Sequence, residues 1–261
     1  MKRSQLIITI LLFVLGVLCF VFFDALKRPV INDDAAMDVL LRGILARLGV
    51  ILLFGWLIYV SGGRKMLLFN KQFFRLFIWS LPCFMVAFIN FPYSALINGT
   101  ASIVRTDLIW LYILYAISIA LLEEFVFRGI FLILAKDYLR NKRHAPLLIT
   151  IICSALFSLF HLTNLFGGNA DVGRVLLQCV YTFLIGAMLT VTMLKLNNIW
   201  LVVVIHAIFN FGGQIIENIG MGSPWDTVFW ILTISGGVLC AGHIIYTLIK
   251  LDRNYVSKQS I

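Results

Sequence analysis

The sequence predicts an all-α fold, a polytopic integral membrane protein with about eight transmembrane helices around a polar intramembrane cavity. Composition and segment length make this prediction. The 261 residues are 61% hydrophobic and 13% charged, with a mean hydropathy of +1.00, far from an ordinary soluble domain. Apolar runs near the roughly 20 residues needed to cross a bilayer recur along the chain. They leave no stretch long enough for a separate soluble domain, so residues 1–261 are expected to form one membrane domain.

In order, the expected spans are 6–23, 44–60, 76–91, 108–135, 147–162, 175–194, 199–216 and 228–249. The first follows Met1-Lys2-Arg3 like a signal peptide, but no small-x-small site follows it, and it reads as a retained helix. The second contains Arg47. Residues 66–75 mix Phe and Leu with Lys71 and Arg75, as an amphipathic stretch at the interface would.

Charge placement orients the helices. The N-terminus, 64–75, 136–143, Lys195 and the C-terminal tail hold 14 of the 21 basic residues, so that side is expected to be cytoplasmic, with both termini there, in a cell membrane. The opposite loops carry most of the aspartates, and Asn98-Gly99-Thr100 matches a glycosylation sequon on that side. The net charge of +9 therefore marks topology and contact with anionic lipid, and no nucleic-acid partner is expected. Five cysteines, all inside apolar runs and without CxxC spacing, read as small buried hydrophobes.

Polar residues inside the apolar runs carry the functional signal, because an ionised group within the bilayer normally faces a protein interior or a wet cavity. Glu occurs three times, and Glu123 and Glu124 are adjacent within the fourth span, with Arg128 close behind. Glu124 and Arg128 are four apart and share a helix face, so they can neutralise each other. Glu123 points about 100° away and is left to handle protons. His161 closes the fifth span one turn after Phe157, and His206 and Asn210 share a face of the seventh. His144, in a basic loop, and His243, with no polar partner at helical spacing, are left outside the site.

Glu-Glu-Phe-Val-Phe-Arg (123–128), Phe-Ser-Leu-Phe-His (157–161) and His-Ala-Ile-Phe-Asn (206–210) stand in order on separate apolar segments. Together they resemble the EExxxR, FxxxH and HxxxN series of the CPBP family, the CAAX proteases and bacteriocin-processing (Abi) enzymes. The resemblance spans roughly 108–216 and implies a catalytic core there, in an intramembrane endopeptidase cleaving a hydrophobic, membrane-associated or prenylated peptide or protein. Its bacterial members are linked to peptide maturation and bacteriocin self-immunity. By resemblance and chemistry, Glu123 is the general base for water, His161 helps hold that water, and His206 and Asn210 donate to the oxyanion. Glu124, Arg128 and Phe157 orient the site. His161, His206 and Glu123 could instead ligate Zn²⁺; without an HExxH helix, the sequence leaves the zinc and metal-free glutamate mechanisms open. A non-catalytic immunity or membrane-binding protein of the same family is the main alternative. A proton-coupled carrier would call for an inverted repeat, and none is evident.

Overall fold

The structure is a computed structural model describing residues 10–19, 29–31, 33–68, 73–166 and 171–259, with the side chains of 73–75, 166 and 254–259 excepted. It is 85% helical, and five helical stretches are long and apolar enough to cross a membrane: Ala35–Leu67, Ala145–Leu165, Val172–Leu196, Ile199–Ile219 and Thr227–Arg253. The chain is an all-α, multi-pass membrane protein. Its outer surface carries large apolar side chains such as Leu52, Trp110, Val180 and Val238, each at least two-thirds exposed, as a surface solvated by lipid requires.

We label the helices α1 (Ile10–Cys19), α2 (Ala35–Ile58), α3 (Phe73–Trp79), α4 (Leu81–Ile89), α5 (Tyr93–Ile97), α6 (Ile109–Glu124), α7 (Leu132–Leu139), α8 (Ala145–Phe160), α9 (Val172–Leu196), α10 (Ile199–Ile219) and α11 (Thr227–Gln259). Of the eight expected spans, the first coincides in its described part with α1, and the remainder lies outside the described residues. The third is divided between α3 and α4 at Ser80, just ahead of Pro82 in the first turn of α4. A proline cannot donate to the preceding turn, so the helix restarts there. The fourth runs from α6 into α7 through a π-helical stretch, Phe125–Phe131, lying across the Glu-Glu-Phe-Val-Phe-Arg motif. Such bulges inside α-helices are frequent at functional sites.

Ion pairs fasten the loops at both ends of the bundle. At one end β1 (Ala101–Ile103) and β2 (Gly220–Gly222) pair antiparallel, Ala101 opposite Gly222 and Ile103 opposite Gly220. Beside them Arg105 binds Asp34 through two bonds of 3.1 and 2.6 Å and Asp107 through bonds of 3.0 and 2.8 Å. Asp34 also caps α2 by accepting from the Met37 N–H. Held this way by Arg105, its carboxyl falls from 3.8 to about 2, and the same guanidinium lowers Asp107. At the far end His144 meets Asp252 at 2.7 Å. Asp252 lies roughly 38 Å along α11 from Thr227 at 1.5 Å per residue. Of the expected interfacial stretch, residues 69–72 lie outside the described residues; Met66 is buried in the main core, and the Leu67 carbonyl accepts from Trp200 Nε1 at 2.8 Å. That end of the stretch is docked on α10.

Candidate active site

α6, the π-helical stretch, α8, α9 and α10 bring the expected residues to one place. Glu124 and Arg128 form the anticipated pair, Oε1 to Nη1 2.7 Å, both side chains fully buried. Arg128 also donates through Nη2 to the Gly186 carbonyl at 3.1 Å, and its guanidinium lies 4.4 Å over the Phe157 ring. Gly186 makes this approach possible: a Cβ there would stand 3.0 Å from Phe157 Cδ1 and 3.4 Å from Arg128 Nη2. A carboxylate, a carbonyl and an aromatic face thus surround a cation that lipid could not solvate.

The same Glu124 Oε1 accepts from His206 Nδ1 at 2.7 Å. On the ring's other side, His206 Nε2 lies 3.3 Å from Glu123 Oε2. Arg128, Glu124, His206 and Glu123 therefore form one line of alternating groups running from a sealed end to an open one. Glu124 is fully buried, and Glu123 retains 18% exposure. His206 was expected to face the substrate carbonyl, but its Nδ1 is committed to Glu124, so only Nε2 remains for the cavity. The pairing of His206 with Glu124 spans 82 positions, beyond any helical spacing.

His161 Nδ1 lies 2.8 Å from the Phe157 carbonyl. A carbonyl only accepts, so Nδ1 carries the proton and Nε2 is an acceptor. The Phe157 ring stands edge-on to both His161 and His206, with centroids 4.9 and 5.7 Å away, which fixes both imidazoles against one aromatic plate. Glu123, His161, His206 and Asn210 then line a cavity of about 220 Å³ that continues between aromatic side chains of α10 and α11. The Asn210 side chain lies in this wall, while its backbone carbonyl and that of Phe211 receive the Tyr112 hydroxyl at 3.3 and 2.8 Å.

Two features escaped the sequence. Asn90, at the end of α4, shares the cavity wall; an asparagine closing a helix carries no catalytic pattern. His243 is not without polar contacts: its Nε2 lies 3.4 Å from Cys83 Sγ and 3.5 Å from Thr192 Oγ1, away from the cavity.

Residues 105–212 match the family model of Type II CAAX prenyl endopeptidase Rce1-like proteins. Over this stretch the chain is similar to the CPBP family. That family is one of intramembrane proteases of the CAAX type. The CPBP match begins ahead of α6 and ends within α10, so α1 to α5 and α11 lie outside it. No curated protein and no solved structure matches the chain.

Of the residues that could ligate zinc, His206 has Nδ1 bound to Glu124 and turns Nε2 toward Glu123. Among the described residues no group of three His, Cys, Asp or Glu side chains is placed to hold a metal ion.

Proposed function

We propose that this protein is an endopeptidase acting within the membrane on a hydrophobic, membrane-associated or prenylated peptide or protein, with Glu123 activating the attacking water. The observation that carries the reading is the line Arg128–Glu124–His206–Glu123 opening into a cavity shared with His161 and Asn210. Buried charge of this kind is costly in lipid and is kept where it performs chemistry.

In the proposed reaction Glu123 takes one proton from water while His161 Nε2 accepts a hydrogen bond from the other. The water oxygen bonds to the scissile carbonyl carbon. The oxyanion is met by the Asn210 amide N–H and, in the doubly protonated form of the ring, by His206 Nε2–H. The C–N bond then breaks and Glu123 returns its proton to the leaving amine. Arg128 offsets the Glu124 charge, and Phe157 keeps both rings in plane. The physiological output proposed is peptide maturation or bacteriocin self-immunity.

The test is cleavage of a fluorogenic farnesylated CAAX-type peptide by the protein in lipid nanodiscs. Glu123→Gln should lower the rate by about 10²- to 10⁴-fold, the range for loss of a general base, with the protein still folded. Activity should survive chelation and dialysis; loss restored by Zn²⁺ would return the metal mechanism. Full function of Glu123→Gln in cells would favour the non-catalytic immunity reading instead.

A further inference from the structure

α4 ends at Asn90, ahead of the segment that the CPBP match covers, yet this side chain lies in the cavity wall with Glu123, His206 and Asn210. Its Nδ2 donates to the Phe209 carbonyl at 2.9 Å, across to α10. Because that partner can only accept, the amide orientation is settled: nitrogen toward α10, Oδ1 away from it. Among the described residues no protein donor reaches Asn90 Oδ1. Nor is the atom sealed in, since the buried partnerless side-chain atoms described belong to Glu124, Arg128, Thr233, Thr247 and Asp252.

α10 is thinned to receive this side chain. A Cβ at Gly213 would stand 2.4 Å from Asn90 Nδ2, and one at Gly212 would stand 3.1 Å from Phe91 Cα. Two adjacent glycines weaken a helix interior, and here they fall directly after Asn210 and Phe211. Any larger residue would push the end of α4 away from the cavity.

A peptide bond presents one acceptor and one donor. Asn210 and His206 offer hydrogens to the carbonyl side, and with His161 Nε2 taken up by the water the motif residues hold no further neutral acceptor for the peptide N–H groups. We infer that Asn90 is a substrate-binding residue: its Oδ1 accepts a backbone N–H of the peptide lying in the cavity while its Nδ2 ties it to the helix of His206 and Asn210. This inference rests on the peptidase reading of the site.

The experiment measures binding separately from cleavage. Glu123→Gln protein in nanodiscs is titrated with a fluorescent farnesylated CAAX-type peptide and with the series of its single N-methyl derivatives, by anisotropy. One methylation should weaken binding by about tenfold, the upper end for one neutral hydrogen bond. That penalty should vanish when Asn90→Ala is added; penalties at the other amides should not change. The inference is overturned if the whole series shows the same penalties with and without Asn90. It is equally overturned if no single methylation costs binding in the Asn90-intact protein, a readout needing no variant at that position. Should the peptide show the coupling and yet remain uncleaved by protein with Glu123 intact, the peptidase reading fails and Asn90 stands as a binding residue.

Discussion

Two clusters in this molecule pair an arginine with two acidic side chains, and they share little else. At the ribbon end Arg105 holds Asp34 and Asp107 with side chains 28–61% exposed. In the core Arg128 binds Glu124 at zero exposure, and the negative charge is shared onward with His206 and then Glu123. The first cluster sits in or near water, where attraction is weak and losing a partner leaves charges that water can solvate. The second has no such recourse, so each member fixes the position of the next. Identical chemistry thus makes a fastening in one place and a site in the other, the difference being what solvates a widowed charge.

The sharpest way to break the comparison is to orphan the buried cluster. Arg128→Met should destabilise the protein by about 3–5 kcal/mol, because Glu124 is left charged without a counter-ion. The double variant Arg128→Met with Glu124→Leu should recover much of that loss while remaining inactive. Reversible unfolding in mixed micelles, followed by helical signal, checks both; equal losses in the single and double variants would mean packing matters more than charge. Next, Gly186→Ala should cost about 1–3 kcal/mol, the range for overpacking, since the new methyl must displace Phe157 or Arg128. It should lower activity alongside stability by tilting the ring that both histidines lean on.

The smallest effect belongs to the exposed cluster, and there pH and salt sharpen the contrast. Asp34→Asn should lower the melting temperature slightly, less so at high ionic strength, where exposed pairs are screened. The Asp34 carboxyl is depressed from 3.8 to about 2 in the folded state, so its stabilisation is complete above about pH 5 and is lost as pH falls from about 4 to 2. The melting curves of wild type and Asp34→Asn should therefore converge over that interval. A difference unchanged at pH 2 would assign the effect to the capping bond with Met37 and not to Arg105.

Much of this was legible in the chain because membrane segments speak through local composition. The Glu124–Arg128 pair followed from helical spacing alone. Three motifs sufficed to name the residues that share a cavity. What was not legible depends on contacts between distant segments: His206 bonding Glu124, Arg128 reaching the Gly186 carbonyl, and Asn90 meeting Phe209 leave no periodic trace. The division at Ser80 had a local signal in Pro82, whereas the π-helical stretch over Phe125–Phe131 had none that periodicity could find, since every residue around Arg128 there is apolar.

The short ribbon has a topological consequence. β1 and β2 stand just outside the two ends of the matched segment, and their register joins Ile103 to Gly220. The stretch carrying the site is therefore a loop whose ends are tied to each other at one address on the surface. The helices before it and the long helix after it depart from that knot and pack back on the loop, α4 reaching α10 through Asn90 and the Phe209 carbonyl. The ribbon thus holds the two ends of the catalytic loop at a fixed separation through backbone pairing, whatever side chains the adjoining loops carry.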